Sequence, residues 1–116
     1  MFIQHSDKVY FVAGATDMRK GIDGLLAEVA AHDDLNALDG SLFVFCSRNR
    51  RQIKVLYWDR NGFALYQKRL EKEYFKWPSN NSTQLILSTR ELQLLLYGLN
   101  PINNHIFKNL YYQTVK

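Results

Sequence analysis

Hydrophobic and polar positions divide the chain into a series of short elements. Lys8 to Val12 is rich in β-branched and aromatic residues and reads as a strand, which Ala13-Gly14-Ala15 interrupts. Thr16 is placed to cap a helix beginning at Asp17, whose charge suits the positive end of the helix dipole. Ile22, Leu25, Leu26, Val29 and Ala30 follow at spacings of three and four and form one apolar face. Gly21 and Gly24 in its first turns suggest the close passage of another backbone. His32-Asp33-Asp34 ends the helix, and Asp39-Gly40 is a turn signal.

Leu42 to Cys46 is apolar at every position, the pattern of a strand buried on both faces. The polar stretch from Ser47 to Gln52 leads into Ile53-Lys54-Val55-Leu56-Tyr57-Trp58, a second strand. Asp59-Arg60-Asn61-Gly62 reads as a tight hairpin turn with Gly62 at positive φ in a bulge. That register puts Ile53, Val55 and Tyr57 on one face with Phe63 and Leu65. Lys54, Leu56, Trp58, Ala64, Tyr66 and Lys68 fall on the other. Gln84 to Leu87 is a further short strand. Ser88-Thr89-Arg90-Glu91 is a capping box opening a helix whose stripe is Leu92, Leu95, Leu96 and Leu99, ended by Asn100-Pro101. The expected fold is α+β: an antiparallel sheet of four to five strands with two main helices. A single domain spans residues 1–101, and a tail at 102–116 shows only weak helical spacing.

Composition narrows the chemistry. At 116 residues, 47% hydrophobic and 22% charged, the chain suits one globular domain. No stretch approaches the roughly 20 apolar residues of a bilayer span, and the first residues lack a secretory pattern, so a cytoplasmic location without membrane contact is expected. The lone cysteine, Cys46, cannot form an internal disulfide or a cysteine-based zinc site and is expected in the core. His5, His32 and His105 sit in no metal-binding motif, and no phosphate-binding loop or dinucleotide fingerprint occurs. Asp17, Asp23, Asp59 and Glu71 are the carboxylates a metal-dependent nuclease would need. Asp17 is accounted for as a helix-start charge and Asp59 as a turn residue. No catalytic constellation, metal site or cofactor is expected, and the chain does not read as an enzyme.

Charge is distributed unevenly. Residues 7–39 carry three basic and seven acidic side chains, whereas residues 47–76 carry nine basic and three acidic. Arg48, Arg50 and Arg51 crowd one loop, where guanidinium groups can bind phosphate bidentately. Trp58, Tyr66 and Trp77 are interleaved with Lys54, Lys68, Arg69, Lys72 and Lys76, a combination that grips nucleic acid by stacking beside cations. The competing explanation is that the tryptophans belong to the core and the lysines solubilise a sheet. A protein partner fits the same segment. Arg19 and Lys20 are expected to be at least partly exposed, with Met18, Ile22 and Leu25 turned inward. They either form a contact surface or pair with Asp17 or Asp23.

The run Thr16-Asp17-Met18-Arg19-Lys20-Gly21-Ile22-Asp23-Gly24-Leu25 resembles a signature of the TnpB-type accessory proteins of insertion-sequence family sixty-six. Further segments agree in order. These are Leu42 to Phe45 followed by Arg48, then Lys54 to Asp59, then Gly62-Phe63 with Leu65-Tyr66 and Lys68 to Glu71. Phe75 to Pro78 and the leucine-rich stretch from Ser88 to Gly98 complete the match. The resemblance covers roughly residues 8–100. Glu73 stands where the family usually has glycine, and the tail carries no family motif. The resemblance implies a protein encoded beside a separate DDE-type transposase and needed for efficient movement of the element. Its partners are then element DNA, the transposase, or both. The residues expected to make that contact are Arg19, Lys20, Arg48, Arg50, Arg51, Lys54, Trp58, Tyr66, Lys68, Arg69 and Trp77.

Overall fold

A computed structural model describes residues 8–78 and 84–101. The tail expected at 102–116 lies outside the described residues. The elements in chain order are β1 (Val9–Val12), α1 (Ile22–Ala30), β2 (Leu42–Cys46), β3 (Gln52–Asp59), β4 (Gly62–Arg69), β5 (Gln84–Leu87) and α2 (Thr89–Leu96). The strands form one sheet in the order β4-β3-β2-β1-β5. Three of the four pairings are antiparallel; β1 and β2 run parallel. That one parallel pair follows from α1, since a helix between two strands carries the chain back to the starting edge.

The two helices lie on opposite faces of the sheet. Alternation along each strand feeds both layers: Val9 and Phe11 with Val44, Cys46, Ile53 and Val55 pack beneath Leu92, Leu95 and Leu96 of α2. Tyr10 and Val12 with Phe43, Phe45 and Leu56 pack against Leu25 and Val29 of α1. Strand β2 is therefore buried at all five positions, with apolar layers above and below it. Two of the sheet's own aromatics stack across β1 and β2, Tyr10 on Phe43 with centroids 5.5 Å apart.

Burial of both faces explains a register that differs from the expected one. Asp59 pairs with Gly62 across a two-residue loop, so Ile53, Val55 and Tyr57 stand opposite Lys68, Tyr66 and Ala64. Phe63 and Leu65 lie on the other face, with Leu56 and Trp58. The expected bulge assumed one apolar and one solvated side. With an apolar layer on each side, that criterion does not discriminate between registers. Gly62 has no positive φ; Arg60, at φ 60°, takes that conformation instead.

The N-terminal boundary of α1 also differs. The helix starts at Ile22 with Gly21 as N-cap, and no side chain caps it. Thr16 is buried, its N–H donating to the Cys46 carbonyl at 2.8 Å, so residues 16–20 form a loop tied to the end of β2. Gly24 does not admit a neighbouring backbone: a Cβ there would sit 3.0 Å from Cβ of Lys20, while one at Gly21 would meet nothing within 4 Å. In α2 the capping residue is as expected, Ser88 Oγ accepting from the Glu91 N–H at 3.3 Å. The helix ends earlier than the leucine stripe implied. Gly98 at φ 86° and the bonds Gly98 N–H to Leu95 O and Leu99 N–H to Leu94 O, both 2.9 Å, form a Schellman closure. Leu99 is consequently exposed.

Candidate nucleic-acid interface

The β2–β3 turn is held rigid by its own polar side chains. Ser47 Oγ donates to Asn49 Oδ1 at 2.7 Å and accepts from the Gln52 N–H at 3.0 Å. Asn49 Oδ1 also accepts from the Arg51 N–H at 3.1 Å. Arg50 completes the turn with φ at 61°, a left-handed conformation that a non-glycine residue adopts at some cost. Its carbonyl accepts from the Phe75 N–H at 2.7 Å, which draws the segment after β4 against the turn. Arg48, at the outer corner, is exposed and makes no hydrogen bond or ion pair with another described residue.

A second loop, residues 13–21, lies alongside. Within it Arg19 is clamped to Asp17: its backbone N–H donates to Asp17 Oδ1 at 2.9 Å and its guanidinium reaches both carboxylate oxygens at 2.7–3.1 Å. The hydrogen bonds from the Arg19 side chain hold the Asp17 carboxyl well below the usual carboxylate range. The same pairing pushes the Arg19 guanidinium up. The arginine side chain is nevertheless 92% exposed, so its cationic surface remains open to solvent. Lys20 is half-buried and ion-paired with Glu28. Met18 and Ile22 pack against the α1-side core, and Leu25 is fully buried, as their spacing predicts. Between the two loops runs a shallow cleft of about 370 Å³, with Thr16–Met18 on one wall and Ser47–Asn49 with Gln52 on the other.

The structure divides the expected contact residues into two groups. Arg48, Arg50 and Arg51 stand on the turn at one end of the sheet, the bond from Arg50 to Gly14 ties that turn to the loop carrying Arg19, and the pairing of Gln52 with Arg69 brings Arg69 to the same end. Arg50 donates to the Gly14 carbonyl at 3.3 Å, Arg51 to the Glu71 carbonyl at 3.2 Å, and Arg69 pairs with Glu71 at 2.9 Å. Of the remaining residues only Trp77 touches this group, its ring centroid 5.9 Å from the Arg50 guanidinium. Lys54 is buried on the α1 side and donates from Nζ to the carbonyls of Met18 and Lys20, each at 2.8 Å. It positions the second loop from beneath and has no free ammonium surface. Lys68 donates to the Leu96 carbonyl at 2.7 Å and thereby caps the end of α2. Trp77 stacks on Phe11 with centroids 5.2 Å apart and packs into the α2-side core, and Tyr66 joins the same layer. Trp58 lies at the opposite end of β3, six residues or about 20 Å from Gln52, in an edge-on contact with Phe63.

One aromatic at this end of the sheet was missed. Tyr74 is 53% exposed, with the Arg51 guanidinium 4.9 Å from its ring centroid. The two-residue alternation of 74–77 carries the signal: Phe75 is buried and Trp77 half-buried, which turns Tyr74 and Lys76 outward. Among the described residues no three His, Cys, Asp or Glu side chains are grouped to hold a metal ion, and no helix is long and apolar enough to cross a membrane.

Comparison with known proteins places these features in context. The family model for IS66 Orf2-like proteins matches residues 7–105. A protein of Sinorhizobium fredii called uncharacterized protein y4hO is 39% identical over 92 residues, covering 79% of this chain and 80% of that one. A second from the same organism, uncharacterized protein y4jC, is 34% identical over 83 residues, covering 72% of this chain and 71% of its own length. No solved structure matches.

Proposed function

Because the chain belongs to the family of IS66 Orf2-like proteins, we propose that it serves transposition of a bacterial insertion sequence as a non-catalytic accessory protein. It acts in the cytoplasm, holding element DNA on the arginine-bearing end of its sheet. The observation that carries this reading is the convergence of Arg19, Arg48, Arg50, Arg51 and Arg69 from three separate chain segments onto that end. Arg48 lines the cleft and is unengaged by other described residues, and Arg19, next to the lining residue Met18, is open to solvent. Tyr74 supplies an exposed ring beside them. A rigid turn bearing guanidinium groups suits phosphate, since little side-chain freedom is lost on contact.

Salt dependence tests the reading. Lys54 and Lys68 are directed onto internal carbonyls, whereas the five arginines, four of which also hold internal partners, keep further guanidinium N–H groups for phosphate. Each neutralised phosphate contributes about −0.9 to the slope of log affinity against log salt, so five contacts give a slope of about −4.5 on duplex DNA. Titration of labelled element-end DNA by fluorescence anisotropy at several salt concentrations measures it. Arg48→Ala, at an exposed side chain, flattens the slope by about 0.9 while leaving the fold intact. A second reading, regulation of the separately encoded transposase, is favoured by the exposed Tyr97 and Leu99 at the end of α2. Undetectable DNA binding at low salt, with transposase retained in a pull-down that a Tyr97→Ser variant abolishes, would establish that reading instead.

A further inference from the structure

The two edges of the sheet are unlike. Strand β5 is four residues long, whereas β4 runs for eight, Gly62 to Arg69, with an unbroken ladder to β3. Natural edge strands are commonly protected by proline, a bulge, shortness or outward charge. Strand β4 has no proline, and its ladder has no bulge. Its interior cation, Lys68, has its ammonium directed onto the Leu96 carbonyl. Phe63, Ala64, Leu65 and Tyr66 are all partly exposed along it, and among the described residues β4 pairs with β3 alone. Alternate residues of such a strand direct N–H and C=O groups away from the sheet, ready for another strand.

We propose that β4 is a dimerisation edge, pairing antiparallel with β4 of a second copy of this chain about a two-fold axis at Leu65. The strand complements itself in that register. Leu65 meets Leu65 of the second copy, Phe63 meets Gln67, Ala64 meets Tyr66 and Gly62 meets Lys68. On the α1 side the apolar row Phe63-Leu65 continues into the same row of the second copy. On the α2 side each large side chain faces a small one. No like charges stand opposite one another, since Arg69 falls across from Asn61. Moving the axis to Tyr66 instead opposes two tyrosines and sets Phe63 against Arg69, which breaks the apolar row. A second copy is favoured over an unrelated strand because one register satisfies both faces at once. The two-fold makes the interface isologous and closed, and the product is a ten-stranded sheet. The proposal does not require DNA binding, because β4 pairs through its outer edge and the arginine turn lies beyond β3; Arg69, at the end of β4, is the one residue common to both surfaces.

Light scattering coupled to size exclusion, on the full chain across a concentration series, reads the mass directly. The expected result is twice the monomer mass, reverting to monomer in Leu65→Lys with unchanged circular dichroism. Because Leu65 also touches the core, a second variant protects the test. Leu65→Cys places two thiols across the axis and forms a covalent dimer under mild oxidation, whereas Gln67→Cys, facing Phe63, does not. A monomer at high micromolar concentration overturns the proposal. So does a dimer in which Leu65→Cys fails to cross-link or Gln67→Cys links equally well.

Discussion

An ammonium group inside a protein is tolerated only where oxygens replace its water, and Lys54 finds two carbonyls at 2.8 Å. Replacement by methionine keeps the stem but leaves the Met18 and Lys20 carbonyls unsatisfied. Lys54→Met is expected to destabilise the fold by about 2–6 kcal/mol, read from the urea midpoint, since each of the two orphaned acceptors costs about 1–3 kcal/mol. Hydrogen exchange in Lys54→Met should rise first at residues 16–20. Asp17 makes a prediction about pH. A carboxyl whose folded value is depressed contributes stability that is complete above its unfolded value, near 3.9, and is lost as pH falls through the folded value. The Asp17–Arg19 clamp is therefore constant between pH 5 and 8, and Asp17→Asn should lower stability equally across that window. A pH-dependent effect of Asp17→Asn there would contradict the clamp. Cys46 is fully buried and its thiol is pushed up by desolvation. It should resist thiol reagents in the native protein and react on addition of denaturant.

Both ends of α2 are defined by local chemistry, and each can be tested alone. Ser88→Ala removes the N-cap acceptor and should cost about 1 kcal/mol. Gly98→Ala forces a Cβ into the left-handed region and should cost about 1–2 kcal/mol. Either change should lower the melting temperature by several degrees, at about 4–8 °C per kcal/mol for a domain of this size. Local chemistry also explains what could be read in advance. The N-terminal boundary of α2 was legible because Ser88 and Glu91 are three residues apart and need no tertiary information. The apolar run of β2 was legible because burial on both faces leaves no polar position. The start of α1 was not, because residues 16–20 are held by Lys54 and by the Cys46 carbonyl, both remote in sequence. The hairpin register failed for a related reason: it depends on which helix covers which face, and nothing within residues 53–68 specifies that.

At the scale of the whole molecule, the candidate site was half legible. Clustered arginines in one loop mark a basic end, and the structure adds Arg19 and Arg69 to it. Side-chain type alone could not separate Lys54 and Lys68 from the arginines, since a buried lysine and a phosphate-binding lysine look alike until their partners are seen. Trp77 is held between Phe11, a partner 66 residues away, and the Arg50 guanidinium, so it supports the basic end from the core side. Strand β1 has the greatest reach of all. Made before the other described elements, it occupies an interior position whose outer neighbour, β5, begins 72 residues after Val12. A fragment comprising residues 1–78 should therefore leave the β1 edge bare and sediment as aggregate when expressed alone, while the full chain stays in the supernatant. During synthesis at about 5–20 residues per second the same gap lasts roughly 4–14 seconds. For that interval on the ribosome, Val9 to Val12 is an open strand in a half-made protein, and the late-arriving segment at 84–87 acts as the closing clasp of a nascent chain.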